Sequence, residues 1–236
     1  MNHAESPSGP VSPVSLIIEI SNPTAAKRAS FVALGTLEGA LLDHEPLSPL
    51  AGGRDDLHPA IDRLCARAGV RPERVARVAV SVGPGGYTSL RVAVAAGTLI
   101  AEVTGAATVS IPTARLVARS VESSGGYPRG VALASKGDAC HLTIQTGPND
   151  FEDAGLLRAE RLAGLGLRTL VADAHLPDTI AAEAERLGLA VVPVAFSPEA
   201  ACSLAAELPA TGADQLAVLY AREPDAVTQW RARRSD

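Results

Sequence analysis

Rings are scarce in this chain: aromatic residues make up 3% of it, so Ala, Val and Leu must fill the interior. Cysteine is scarce too. Cys65, Cys140 and Cys202 are far apart, odd in number and form no CxxC pair, which excludes a disulfide framework and points to a reducing compartment. There is no excess of basic charge; the formal net charge is −5 and the pI about 5.6. A broad, sequence-independent grip on nucleic acid needs clustered Lys and Arg to displace counterions, and the acidic balance argues against it. The one dense basic run is WRARRSD, Trp230 to Asp236, read as a solvated tail over 229–236 that could touch a phosphate backbone or an acidic partner. No stretch approaches the roughly 20 apolar residues of a membrane span. The opening MNHAESPSGPVSP has neither a basic n-region nor an apolar h-region, and its Ser, Pro and Gly predict a disordered leader over 1–13. The expectation is a soluble cytoplasmic protein.

Several catalytic signatures are missing as well. No Gly-Lys-Ser/Thr, GxGxxG or GxSxG motif occurs, and the five histidines (His3, His44, His58, His141 and His175) form no HxxxH or HxxH pair. Ser135 and Lys136 are adjacent, so on a strand they point to opposite faces; a β-turn is the better reading. Asp55 and Asp56 precede a helix, where acidic side chains favour the macrodipole over a cation site.

What is present is enough apolar material for a substantial core: 236 residues, 47% of them hydrophobic. Val14–Ser21 and Ala29–Thr36 read as strands, and LEGALLDHEP supplies a third. Residues 55–68 carry Leu57, Ile61, Leu64 and Ala68 at helical spacing, ended by Gly69. Arg74–Val82 is a buried strand, and Ser89–Val103 a helix apolar on most faces. Val109–Ile111 is another strand, after which Thr113 is expected to cap a helix reaching about Glu122. Beyond it VALASKG, ACHLTIQTG, LRTLVAD and LAVVPVAFS are strand candidates, and LPDTIAAEAERLG and SPEAACSLAAEL are helices. LAVLYARE is a last strand or an extended tail. The order β-β-β-α-β-α, followed by a looser repeat, implies two α/β lobes, at 14–112 and 113–228.

Between the fourth strand and its helix lies SVGPGGYTSLRVAVAAG, Ser81 to Gly97. Gly83, Gly85 and Gly86 allow positive φ and close backbone approach, Pro84 fixes one dihedral, and Thr88 is placed to cap the helix. A helix start of this kind can receive an anion, but a structural corner is the commoner use. Arg91 admits two readings, an ion pair or hydrogen bonds across a subunit interface, or a salt bridge inside its own lobe. Tyr87 either packs under the elbow or enters a partner's groove. Val92, Ala95, Ala96, Leu99 and Ile100 suit either another helix or the protein's own sheet.

GPGGYTSLRVAVAAG resembles GPGSFTGLRIGxxxAxG, the signature of the TsaB (YeaZ) family of glycoprotease-like proteins in bacterial tRNA threonylcarbamoyladenosine biosynthesis. Gly83, Pro84, Gly85, Thr88, Leu90 and Arg91 match it, while Gly86, Tyr87 and Ser89 replace Ser, Phe and Gly. Weaker likenesses in the family's order cover most of residues 15 to 228, from LIIEISN to LAVLYAREPDAV. The resemblance implies a two-lobed actin-like ATPase (ASKHA, ribonuclease H-like) fold with duplicated β-β-β-α-β-α units. It implies an accessory subunit without catalysis of its own, binding and supporting the catalytic TsaD subunit, with a TsaE-like ATPase joining, tRNA met only indirectly, and a homodimer when alone. The partner surface implied is Gly83, Pro84, Gly85, Gly86, Tyr87, Thr88, Leu90, Arg91 and Ala95. TsaD itself needs a His pair for its metal, which this chain lacks.

The departures concern nucleotide. Where related folds carry an Asp that holds Mg²⁺ through water, this chain has Glu19, followed by Ile20, Ser21, Asn22 and Pro23. The second-lobe Asp-Ala-Arg is replaced by Ala134, Ser135 and Lys136, and the family's His near Gly53 or Arg54 is missing. Glu19 and Ser21 are thus expected to be a vestigial nucleotide site, with no cofactor beyond weak Mg-ATP at a complex interface and no metal. The alternatives are a diverged paralogue with another partner, or a small ASKHA-type kinase or ATPase.

Overall fold

The computed structural model describes residues 12–22, 24, 30–47, 56–121 and 126–222. The leader up to residue 11, Pro23, Gly53, Arg54, Asp55, Glu122 and the basic tail lie outside these.

The first lobe follows the order β1 (Val14–Glu19), β2 (Phe31–Thr36), β3 (Leu41–Pro46), α1 (Leu57–Ala68), β4 (Val75–Gly83), α2 (Tyr87–Thr104), β5 (Ala107–Pro112) and α3 (Thr113–Ser120). The second follows β6 (Arg129–Lys136), β7 (Ala139–Gln145), β8 (Phe151–Leu157), α4 (Ala159–Leu162), β9 (Thr169–Ala172), α5 (Asp178–Arg186), β10 (Ala190–Pro193) and α6 (Pro198–Glu207). Each lobe holds one five-stranded sheet, in the orders β3-β2-β1-β4-β5 and β8-β7-β6-β9-β10. These are the same arrangement twice: an antiparallel meander whose first strand then runs parallel to the two that follow. The duplicated, two-lobed actin-like α/β fold is therefore present.

β1 is buried along its whole length because helices cover both faces of its sheet. Leu16 and Ile18 turn toward the face where Leu57, Leu64, Ala93 and Ala96 of α1 and α2 pack. Ile17, between them, turns the other way with Phe31, Ala79 and Ile111, to meet Leu116 of α3 and Ala201 and Leu204 of α6. α3 then presents Ala114, Val117 and Ala118 to Val131, Leu133 and Val171 of the second sheet. One helix thus serves both sheets, and α6, late in the chain, returns to the first.

Other differences from the sequence reading have local causes. Thr113 does not cap α3; Pro112 holds the N-cap position, and Thr113 is the first helical residue, its side chain turned inward. β8 has no counterpart among the expected strands, because FEDAGLL is a half-exposed edge strand with little hydrophobic signal. Of LAVLYARE, residues 216–222 are described; they form no strand and run across the end of the first sheet, where the Leu219 N–H donates to the Val82 carbonyl at 2.8 Å. Asp56 occupies the N-cap position of α1 without a capping bond and pairs with Arg63 at 3.0 Å. Cys140 and Cys202 are buried in the apolar cores, which pushes their thiols up to about 12, and all three cysteines are free. No helix among the described residues is long and apolar enough to cross a membrane.

Candidate functional site

The elbow between β4 and α2 is held from three sides. From below, the Gly83 N–H donates to the Thr113 hydroxyl at 3.1 Å, and that hydroxyl is 3.0 Å from the Ser81 hydroxyl. From the end of β1, the Ser21 carbonyl accepts the Gly86 N–H at 2.7 Å, and the Asn22 side chain donates to the Pro84 carbonyl at 3.2 Å. From above, the Leu219 backbone lies against Gly83.

Only two of the three glycines are required by these contacts. Gly83 has φ +118°, and a Cβ there would sit 2.3 Å from the Leu219 carbonyl oxygen. A Cβ on Gly85 would meet the Ser21 carbonyl oxygen at 2.3 Å. Gly86 has ordinary φ and space around it; its contribution is the N–H given to Ser21. That donor, which an anion would need, is taken. Thr88 does not cap α2 either: the helix begins at Tyr87, two residues earlier than expected, with Gly86 at the N-cap and no side-chain bond.

Gly83, Pro84 and Leu90 are buried within the lobe, Gly85 is half-buried, and Gly86, Tyr87, Thr88, Arg91 and Ala95 are exposed. The Arg91 guanidinium lies 3.9 Å from the centre of the Tyr87 ring, and its Nε donates to the Tyr220 hydroxyl at 3.0 Å. Tyr87 and Tyr220 are themselves 5.4 Å apart, so Arg91 sits in a two-ring cradle at the surface, with no carboxylate partner among the described residues. The salt bridge expected inside its own lobe is not formed among the described residues; within the chain the partners of Arg91 are rings. Tyr87 does not pack under the elbow; it is 43% exposed. Of the α2 residues considered for helix packing, Ala96 is buried on the sheet, Val92 and Ile100 flank it, and Ala95 and Leu99 face outward.

Glu19 lies inside this construction, fully buried. One of its carboxyl oxygens accepts from the Ser21 N–H at 2.7 Å and the Ser21 hydroxyl at 2.6 Å; the other has no hydrogen-bond partner among the described residues. Burial, opposed by the Ser21 bonds and the nearby Ser81 hydroxyl, raises its pKa from 4.5 to about 7. A Mg²⁺-bound phosphate needs an accessible, ionised carboxylate and free N–H donors. Here the carboxyl is sealed, burial disfavours its ionised form, and the elbow's Gly86 donor is spent, so these residues do not fit Mg-ATP.

The second-lobe counterpart, Ala134 to Lys136, forms the last residues of β6 and not the expected β-turn, which follows at 137–138; Ala134 takes a positive φ of 54° and its carbonyl accepts from Arg222 at 3.0 Å. Among the described residues no three His, Cys, Asp or Glu side chains cluster as a metal site would require. Sequence reasoning does not find Ser81, Thr113, Asn22, Leu219 and Tyr220 as parts of the elbow. Only the register of the sheet and the course of the chain's end bring them there.

The elbow and the two lobes define a duplicated α/β protein whose corner is braced by its own chain. By its sequence the chain belongs to the family described as TsaD: tRNA N6-adenosine threonylcarbamoyltransferase, whose model matches residues 54–219. Among solved structures it is similar to an uncharacterized protein with similarity to peptidase YEAZ from Pseudomonas aeruginosa. That match has a TM-score of 0.65 at 20% identity, covering 89% of this chain and 100% of the other. It is likewise similar to YeaZ from Pseudomonas aeruginosa, with a TM-score of 0.63 at 20% identity over 88% of this chain and 99% of that one. No curated protein matches the sequence.

Proposed function

We propose that this chain is a non-catalytic subunit of tRNA N6-threonylcarbamoyladenosine assembly, docking on a TsaD-like catalytic subunit through the elbow and α2. One observation carries the docking surface. Tyr87, Arg91, Ala95, Leu99 and Val103 recur every fourth residue along α2, and all five are exposed, Leu99 at 60% and Val103 at 77%. Residues four apart form a ridge on a helix, and such ridges seat in the grooves of a second helix. The opposite side of α2 is already satisfied by the sheet, so close that a Cβ on Gly97 would meet Val80 at 2.5 Å. Ala95, Leu99 and Val103 of this ridge therefore have no work to do inside the chain, and exposed apolar rows of this kind mark interaction sites.

Family membership supplies the pathway, and the sealed Glu19 favours a supporting over a catalytic role. In the absence of the catalytic subunit the same ridge suits a second copy of this chain, since an isologous dimer pairs a surface with itself. A TsaE-like ATPase and tRNA would then be met through the catalytic subunit, in the cytoplasm.

The test is reconstitution. The catalytic subunit and ATPase of the same organism, given threonylcarbamoyl donor and an unmodified tRNA, should form the modified adenosine at least tenfold faster when this chain is added. A rate indifferent to the chain would remove the role.

A further inference from the structure

At the far end of β6 from Ala134 lies a pocket of about 540 Å³, between α3, the end of α6 and the β7–β8 hairpin. This is within the roughly 300–1,000 Å³ of small-molecule sites. Three guanidiniums line it: Arg115, Arg119 and Arg129. Arg119 is matched, its two terminal nitrogens on the two Glu207 oxygens at 2.9 and 2.8 Å. The other two are not. Arg129 is 3% exposed and donates only to neutral oxygens, those of Gln145, Ala118 (2.8 Å) and Val121 (3.3 Å). Arg115 rests with its guanidinium 5.1 Å from the Phe151 ring centre. No ion pair among the described residues involves Arg115 or Arg129.

A buried guanidinium without a carboxylate is costly, and the cost falls when an anion enters. Desolvation accordingly lowers the affinity of Arg129 for its own proton. Gln145 fixes Arg129 in place, its amide donating in turn to the Pro148 carbonyl at 3.2 Å; with Nε and Nη2 spent on Gln145 and Ala118, an Nη1 N–H is left pre-positioned for an anion. Phe151, Tyr127, Leu204 and Leu208 add an apolar, partly aromatic side to a wall that Asn149 and the Arg119-paired Glu207 also line. Planar guanidinium forks match carboxylate and phosphate oxygens, and rings match a flat body.

We propose that this pocket binds a small organic anion, a flat apolar body bearing one carboxylate or phosphate group, with Arg115 and Arg129 holding the charged end. The site is separate from the elbow and from the α2 ridge, and it needs no partner protein.

Isothermal titration of the full chain at constant ionic strength, with phenyl phosphate, benzoate and neutral phenol as probes, tests it. At least one of the two anions should bind saturably; the one that binds more tightly identifies the charged group. Arg115→Gln, at a half-buried position that makes no hydrogen bond among the described residues, should weaken that binding at least tenfold, whereas Arg71→Gln on the exposed surface should leave it unchanged. The proposal is overturned if neither anion binds saturably, if phenol binds as tightly as the anions, or if Arg115→Gln retains wild-type affinity. Because the chain is tested alone, failure here leaves the docking reading standing, and failure of docking leaves this one.

Discussion

A Gly83→Ala chain is expected to lose about 3–5 kcal/mol of stability, the sum of a strained left-handed residue and an overpacked contact. The added methyl group would meet the Leu219 carbonyl oxygen at 2.3 Å, and that atom belongs to backbone anchored on Val82. Neither side can give without releasing the chain's last extended segment or opening the end of β4. Gly85→Ala should cost about 1–3 kcal/mol for a different reason: φ is ordinary there, but Ser21 backbone stands in the way. Gly86→Ala, with open space, should stay within about 0.5 kcal/mol of the parent. Urea denaturation of the three variants checks the order. A Gly83→Ala protein as stable as Gly86→Ala would show that the elbow is not clamped as described.

The second large effect is a pH dependence set by Glu19. Its folded pKa, about 7, stands above the ordinary 4.5. Below 4.5 the carboxyl is protonated whether the chain is folded or not, and its full contribution to stability is present. As pH rises through the window, the unfolded chain releases the proton first, so the folded state is progressively disfavoured until pH passes 7. The loss is about 3 kcal/mol between pH 4.5 and pH 8, since each pH unit separating the folded and unfolded pKa is worth about 1.4 kcal/mol. Glu19→Gln keeps an acceptor for Ser21 and removes the titration. Its stability relative to the parent should therefore climb by that amount over the same window, read from denaturation midpoints at both pH values. The paired carboxylates Asp43, Glu45 and Glu207 are shifted downward by their arginines and contribute the opposite slope at lower pH, which the comparison with Glu19→Gln cancels. A parent–variant difference that does not change with pH would mean Glu19 is solvated or already ionised.

Much of this architecture is legible in the sequence because local signals and the fold agree. Nearly continuous apolar runs such as VSLIIE and VARVAVSV can only be strands covered on both faces, and Gly69 ends α1 where its position predicts, at φ +64°. The glycine elbow stands out because a strand, three glycines and a small-residue helix follow each other without interruption. What is not legible depends on atoms distant in sequence. Nothing near Gly83 announces that Leu219 will lie on it, or that Tyr220 will accept from Arg91. Thr113 reads as a helix cap because a threonine stands where the helical stretch begins, yet its hydroxyl faces Ser81 and Gly83 on a neighbouring strand. The return of α6 to the first sheet has the same character. SPEAACSLAAEL shows a helix, with Ser197 capping it through the Ala200 N–H, but not which sheet it covers.

The α2 ridge combines both kinds of information: its fourfold spacing is in the sequence, and its exposure is in the structure. The most direct measurement is size-exclusion chromatography with light scattering of this chain mixed with the catalytic subunit of its own organism, beside Leu99→Asp and Arg91→Glu. Both substitutions change exposed side chains and should leave each variant folded by circular dichroism. The account predicts a stoichiometric complex for the parent that both substitutions abolish. A complex that survives both unchanged, or the absence of any complex between folded proteins, would contradict it.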